Sequence, residues 1–137
     1  MDFIYEEKYK YLTSAMLNVT DDCNLQCRYC FVEQNPHYMS LETAKKAADW
    51  LYYNYQKKIE YGFLQIDPNF KCQLYFFGGE PMLCYESIMV PIVEYCNEKY
   101  PNIFHFGMTT NGTLLNEKRI KFLKENDFSL LLSMDGN

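Results

Sequence analysis

Short runs of apolar residues alternate along this chain with longer stretches in which apolar residues recur every three or four positions. The short runs predict four β-strands. The run from Gln73 to Phe77 is apolar almost throughout, which is typical of a strand that is covered on both faces. The predicted strands cover residues 15–20, 73–77, 103–108 and 129–134.

The longer stretches predict three helices between these strands. Ser40 can cap the first helix, with Glu42 in its first turn. The apolar residues of this helix recur at helical spacing: Leu41, Ala44, Ala47, Ala48, Leu51 and Tyr52. The second helix is predicted over residues 85–100 and the third over residues 116–126.

Strands and helices that alternate in this way predict an α/β domain built on a parallel sheet. No repeat, low-complexity tract or linker divides the sequence, so residues 1–137 are expected to form one domain. The last predicted strand runs into Asp135-Gly136 and only Asn137 follows, with no helix to cover the strand. We therefore expect the domain to be incomplete at its C-terminal end.

Composition and charge narrow the class of partner. The 137 residues are 48% hydrophobic and 23% charged, as in an ordinary globular domain. The net charge is -5 and the basic residues are scattered, so the chain offers no basic surface for phosphates. Nucleic acid is therefore not an expected partner.

The sequence also indicates in which cellular compartment the protein is expected. The N-terminus lacks the basic and apolar segments of a secretory signal, and no apolar run reaches the roughly 18 residues that a membrane span needs. We expect a cytoplasmic protein with reduced thiols and no membrane partner. Three of the six cysteines fall within eight residues, which favours metal ligation over disulfides.

The strongest chemical signal is the loop in which Cys23, Cys27 and Cys30 follow the first strand with the spacing C-x3-C-x2-C. A 4Fe-4S cluster normally takes four thiolates, so three neighbouring thiolates leave one iron open to another ligand. The alternative is a structural zinc site completed by His37, because tetrahedral zinc accepts three cysteines and one histidine.

Three further motifs lie at the C-terminal ends of predicted strands or directly after them. They are Gly78-Gly79-Glu80-Pro81, Thr109-Thr110-Asn111-Gly112 and Ser133-Met134-Asp135-Gly136. Ligands of parallel α/β proteins bind at the carboxyl ends of the strands, so these motifs and the cysteine loop are expected to converge on one site.

The cysteine spacing, with Tyr29 directly before Cys30, resembles the radical S-adenosylmethionine (radical SAM) superfamily. The resemblance implies the N-terminal part of a partial (β/α)6 barrel of the TIM type, ending after its fourth strand. It also implies a 4Fe-4S cluster whose open iron binds S-adenosylmethionine (SAM). One electron from the cluster then cleaves SAM to a 5'-deoxyadenosyl radical, which abstracts hydrogen from a substrate.

The same resemblance implies roles for single residues. Gly78, Gly79 and Glu80 match the GGE motif that holds the methionine ammonium group of SAM. Asn111 and Ser133 would lie near its ribose or carboxylate, and Tyr29 would contribute to the adenine pocket. For Asn111, a simple turn is an equally good interpretation.

The segments around Asn111 and Ser133 are similar to those of radical SAM enzymes with a SPASM or twitch extension. That subgroup includes anaerobic sulfatase-maturating enzymes and peptide thioether-forming maturases. The resemblance implies a peptide or protein substrate and an external electron donor. Alternatives are a radical SAM enzyme acting on RNA or a small metabolite, and a non-catalytic iron-sulfur or zinc protein. The catalytic residues are not assigned, and unaided turnover by this segment is not expected.

Several other residues receive no site role. Cys72, Cys84 and Cys96 are interpreted as small buried apolar side chains rather than a second metal site. His105 is interpreted as a hydrogen-bonded structural residue, with a substrate contact inside the barrel as the alternative. The last strand, with its leucines at 130–132, predicts a hydrophobic edge and poor solubility of the isolated chain.

Overall fold

The computed structural model describes residues 10–25, 35–64 and 67–133. Five strands form one sheet: β1 (Ser14–Asp21), β2 (Asn35–Tyr38), β3 (Cys72–Gly78), β4 (Phe104–Thr110) and β5 (Ser129–Leu132). Their order in the sheet is β2-β1-β3-β4-β5, and all neighbours pair in parallel except β2, which is antiparallel to β1. The predicted α/β class is confirmed, and the sheet is parallel as predicted except for β2.

The antiparallel strand β2 is the element that the sequence pattern does not reveal. It has four residues and contains Pro36, which cannot donate a backbone hydrogen bond and is typical of an edge strand. Its pairing with β1 places Tyr38 opposite Thr20, close to the carboxyl end of β1. This short strand therefore brings a tyrosine to the end of the sheet where the cysteine loop begins.

Three α-helices follow the predicted positions: α1 (Leu41–Glu60), α2 (Val90–Lys99) and α3 (Glu117–Glu125). Ser40 caps α1 by accepting a hydrogen bond from the Thr43 N–H at 3.1 Å, as predicted. Asn116 caps α3 by accepting one from the Arg119 N–H at 2.9 Å.

The predicted helix over residues 85–100 is not uniform. A 3₁₀ turn (Pro81–Cys84) and a π-helical turn (Tyr85–Met89) precede α2. Pro91 has no N–H to continue the ladder of hydrogen bonds and so belongs in the first turn of α2. The regular α-helix accordingly begins next to this proline.

The hydrophobic core lies between the helices and one face of the sheet. Side chains alternate along each central strand, so every second residue is buried against the helices. The buried strand residues are Leu17, Val19, Leu74, Phe76, Phe106 and Met108. From α1, Ala44, Ala48 and Leu51 complete this layer and are fully buried.

The opposite face and the β5 edge are open in the described residues. Met16 on that face is 61% exposed, and Leu130, Leu131 and Leu132 of β5 are 43%, 66% and 48% exposed. The exposed leucines agree with the hydrophobic edge that the sequence predicts, while poor solubility stays a prediction. Among the described helices, none has the length and apolar character to cross a membrane.

Candidate functional site

Cys23 stands at the end of β1, where the loop with the other two predicted ligands begins. Its backbone N–H donates to Asp22 Oδ1 at 2.9 Å, and its sulfur accepts a hydrogen bond from the Leu25 N–H at 3.4 Å. The thiol is partly exposed. The predicted ligands Cys27 and Cys30 and the predicted adenine contact Tyr29 lie outside the described residues.

Asp22 connects this loop to the edge strand β2. Its Oδ2 accepts a hydrogen bond from the Tyr38 phenol. That hydrogen bond is the main reason why the pKa of Tyr38 is raised. One carboxylate therefore fixes both the backbone of Cys23 and the side chain of Tyr38.

The two glycines after β3 lie directly against the backbone at the end of β1. The Gly79 N–H donates to the Thr20 carbonyl at 2.8 Å, and the Glu80 N–H donates to the Asp22 carbonyl at 2.9 Å. A Cβ on Gly79 would lie 2.0 Å from the Asp22 carbonyl oxygen, and one on Gly78, which has a φ of 146°, would lie 2.1 Å from that of Thr20. The backbone at the end of β1 therefore lies so close to both glycines that a side chain at either position would collide with it.

Glu80 is completely buried and connects two segments of the site. Its Oε1 accepts the Asn111 N–H at 2.8 Å, and its Oε2 accepts the Met82 N–H at 3.3 Å. The Thr110 hydroxyl lies 2.6 and 2.8 Å from the two carboxylate oxygens. These donors give both carboxylate oxygens hydrogen-bond partners, which offsets the cost of burying a polar side chain. Glu80 thus joins the turn after β3 to the end of β4.

Asn111 joins the turn after β4 to the cysteine loop. Its Oδ1 accepts from the Thr113 N–H at 3.0 Å and from the Thr113 hydroxyl at 2.7 Å. Its Nδ2 donates to Asn24 Oδ1 at 2.9 Å and lies 4.0 Å from the sulfur of Cys23. Asn24 Nδ2 in turn donates to the Thr113 hydroxyl at 2.8 Å. The two loops therefore share one network of amides and a hydroxyl.

Ser133 is placed at the same end of the sheet. Its N–H donates to the Thr110 carbonyl at 2.8 Å and so continues the pairing of β5 with β4. Asp135 and Gly136 lie outside the described residues. The structure thus brings Cys23, the Gly78-Gly79-Glu80 turn, Asn111 and Ser133 to one end of the sheet.

The sequence interpretation missed several polar residues of this site, among them Thr20, Asp22, Asn24 and Thr110. Asn24 and Asp22 flank Cys23, so adjacency to a predicted ligand could have identified them. Thr20 is 2% exposed; its hydroxyl donates to the His37 carbonyl at 2.7 Å and accepts the Asp22 N–H at 3.0 Å. No signal in the sequence indicates these partners, because they depend on how β2 returns along β1.

The cysteines without a predicted site role are buried in the hydrophobic core. Burial raises the pKa of Cys72 and of Cys96 to about 12, and it raises that of Cys84 as well. His105 lies on the face of the sheet away from the helices, with Nε2 2.8 Å from the Ser129 hydroxyl. This hydrogen bond agrees with the structural interpretation of His105.

The described side chains fit a cluster ligand at Cys23. Its sulfur faces N–H donors, which are the partners that stabilise metal-bound thiolates. Across residues 10–25, 35–64 and 67–133, no group of three His, Cys, Asp or Glu side chains is placed to hold a metal ion. Two of the three predicted ligands lie outside those ranges, so the ligand set itself stays a prediction.

Comparison with known proteins gives the same family that the motifs indicate. The family model of the radical SAM superfamily matches residues 17–136. An uncharacterised protein of Methanocaldococcus jannaschii is 38% identical over 123 residues, which are 88% of this chain and 38% of that protein. The cysteine-type anaerobic sulfatase-maturating enzyme of Clostridium perfringens is 32% identical over 116 residues, covering 83% of this chain and 30% of that enzyme.

A solved structure agrees with these sequence matches. It is described as native anSMEcpe with bound AdoMet and the Cp18Cys peptide, and it superposes with a TM-score of 0.69 at 28% identity. The superposition covers 90% of this chain and 31% of that one. The chain therefore spans about a third of the length of the relatives that it matches.

Proposed function

Because this chain belongs to the radical SAM superfamily, we propose that it forms the part of a radical SAM enzyme that holds the 4Fe-4S cluster and SAM. Membership of this family of enzymes implies both cofactors. When bound, the cluster and SAM would supply a 5'-deoxyadenosyl radical for hydrogen abstraction from the substrate. The task of the protein is then to fix the two cofactors against each other and to position the substrate.

One observation carries this proposal, namely the meeting of three strand ends around Cys23. The turn after β3 binds the backbone of β1 at Thr20 and Asp22, and Glu80 binds the end of β4. Asn111 then returns from β4 to the cysteine loop. The sulfur of Cys23 is held at the carboxyl end of a parallel sheet, which is where this fold class binds its ligands.

In the proposed site, Cys27 and Cys30 join Cys23 as the three cluster ligands. The backbone of Gly78-Gly79-Glu80 takes the ammonium group of SAM, with Glu80 keeping the turn in place through Thr110. Ser133 lies near the ribose or carboxylate of SAM, and Tyr29 contributes to the adenine pocket. Each of these assignments is supported by the motif match and, for the described residues, by their common position at this end of the sheet.

The proposed substrate is a peptide or protein side chain. This is supported by the similarity to a sulfatase-maturating enzyme and to a structure that contains a peptide. A SPASM or twitch extension, an external electron donor and a cytoplasmic location complete the proposal. The net charge of -5 favours peptide over RNA as the substrate.

Anaerobic reconstitution with iron and sulfide tests the cofactor assignment. We expect broad visible absorbance and, after reduction, an EPR signal that changes when SAM is added. Cys23→Ala should abolish cluster assembly because it removes one of three ligands. Cys96→Ala is the matched control: Cys96 is equally a cysteine but lies in the core, so its variant should assemble the cluster normally.

Two results would contradict the proposal. A colourless adduct with stoichiometric zinc would favour the structural zinc site, with His37 as the fourth ligand. A cluster that does not respond to SAM would leave a non-catalytic iron-sulfur protein. If the loaded enzyme formed 5'-deoxyadenosine with RNA but not with peptides, the proposed substrate class alone would be wrong.

A further inference from the structure

The side chain of Asn111 has a hydrogen-bonding pattern that the resemblance does not anticipate. A primary amide offers two N–H donors and an oxygen with two lone pairs. Both lone pairs of Asn111 Oδ1 are used, by the N–H and by the hydroxyl of Thr113. Because the Thr113 N–H can only donate, Oδ1 must face it, and the orientation of the amide is fixed.

The nitrogen of this amide is therefore directed at the cysteine loop. One N–H donates to Asn24 Oδ1 at 2.9 Å. The sulfur of Cys23 lies 4.0 Å from the same nitrogen, at the outer limit of a hydrogen bond to sulfur. Both lone pairs of the Asn111 oxygen and one of its N–H groups are therefore used within the protein, and the Cys23 sulfur is within reach of the other N–H.

We propose that Asn111 is a positioning residue that holds Cys23 and adjusts the reduction potential of the cluster, instead of contacting SAM. This inference rests on the proposed function, since it assumes that Cys23 ligates the cluster. It departs from the SAM contact that the resemblance implies for Asn111.

The physical reason lies in the charge of the cluster. Reduction adds one negative charge, which spreads partly onto the sulfur ligands. An N–H directed at a ligand sulfur stabilises the reduced state more than the oxidised state, and hydrogen bonds to the sulfurs are among the factors that set cluster potentials. The backbone N–H of Leu25 donates to the same sulfur at 3.4 Å. The Asn111 side chain therefore adds to a stabilisation of the reduced cluster that the backbone already provides.

The anchoring explains why the amide can serve this role. The backbone N–H of Asn111 is held by the buried Glu80, and its oxygen is held by Thr113. Asn24 closes the network by donating to the Thr113 hydroxyl at 2.8 Å. Hydrogen bonds on each side of the amide therefore restrict its rotation, so it faces the sulfur in a single orientation.

The test is the midpoint potential of the reconstituted full chain, measured by EPR-monitored redox titration without SAM. We expect Asn111→Ala to shift the midpoint potential to more negative values by up to about 59 mV, which corresponds to a tenfold change in a one-electron reduction equilibrium. Asn24→Ala should shift it in the same direction by a smaller amount, because it loosens the amide without removing it. SAM affinity, measured separately by calorimetry, should be unchanged in Asn111→Ala.

Asn116→Ala is the matched control. Asn116 lies in the same connection between β4 and α3 but caps the helix, so its loss costs stability without affecting Cys23. Its midpoint potential should equal that of the wild type. If Asn111→Ala fails to fold, Asn24→Ala still decides the sign of the shift.

The outcomes separate this inference from the proposed function. If the wild type assembles the cluster and both Asn111→Ala and Asn24→Ala have the same midpoint potential as the wild type, the inference is overturned and the proposed function stays intact. Weakened SAM binding in Asn111→Ala at an unchanged potential also overturns it and restores the SAM contact. A wild type that assembles no cluster overturns both.

Discussion

Two carboxylates in this molecule, Glu80 and Asp49, each accept several hydrogen bonds, but one is buried and the other is partly exposed to solvent. Glu80 is completely buried at the carboxyl end of the sheet, and its donors are hydroxyl and backbone N–H groups. Asp49 lies on the surface of α1 with 40% of its side chain exposed. Its Oδ1 accepts from the Tyr95 and Tyr100 phenols at 2.7 and 2.6 Å and from Lys99 Nζ at 3.3 Å.

The hydrogen bonds to Asp49 outweigh the effect of its partial burial. Partial burial acts against ionisation of Asp49, but hydrogen bonds from Tyr100, Tyr95 and Lys99 outweigh it and lower its pKa. Burial, followed by the hydrogen bond to Asp49, raises the pKa of Tyr100 to about 12. Water can replace any lost partner of Asp49, whereas water cannot reach Glu80. The two sites should therefore differ sharply in their tolerance of substitution.

The largest effect is expected at the carboxyl end, from Gly79→Ala. The new Cβ would lie 2.0 Å from a backbone oxygen of Asp22, which cannot rotate away as a side chain can. We expect a loss of roughly 3 kcal/mol or more in the free energy of unfolding, as for severe overpacking, and loss of cluster assembly. Chemical denaturation and iron content measure the two effects.

Gly62→Ala is the control for this change. Gly62 lies just after α1 with a φ of 75°, and a Cβ there would meet no atom within 4 Å. Only the strain of a left-handed backbone remains, about 1–2 kcal/mol. Equal destabilisation by both substitutions would show that the contact with Asp22 does not determine the need for glycine at position 79.

Glu80→Gln is expected to have the next largest effect. The variant keeps the shape of the side chain, but an NH₂ group replaces one oxygen and meets the donors that surround it. The expected loss is roughly 2–3 kcal/mol of unfolding free energy, the cost of a buried polar group without a partner. A variant as stable as the wild type would show that the surrounding donors do not require two acceptor oxygens at position 80.

Asp49→Asn should have the smallest effect, about 1 kcal/mol at neutral pH, because solvent screens its partners. Its lowered pKa also fixes the sign of the pH dependence. The stabilisation is complete above the unfolded pKa of about 3.9 and is lost as the pH falls through the lower folded value. The difference in stability between wild type and variant should therefore vanish on acidification; a difference that grew would reverse the assigned sign.

Most of the fold could be predicted because its elements carry local patterns. Each parallel strand is a short apolar run, and each α-helix has an apolar face, with Ser40 as the predicted cap of α1. The strand β2 could not be predicted, since four residues with a proline have no periodicity. The π-helical turn before α2 also escaped prediction, because the period of a single turn cannot be read from five residues.

The sequence by itself determined the family, the position of the cysteine loop and the turns that follow the strands, because spacing and glycine placement are properties of neighbours in the chain. Only the tertiary structure decided what those residues contact. Gly79 faces the backbone of β1, Glu80 binds Thr110, and Asn111 faces the sulfur of Cys23. Glu80 and Thr110 are 30 positions apart in the sequence, and Asn111 and Cys23 are 88 positions apart. Such contacts depend on the register and twist of the whole sheet, which no local pattern encodes.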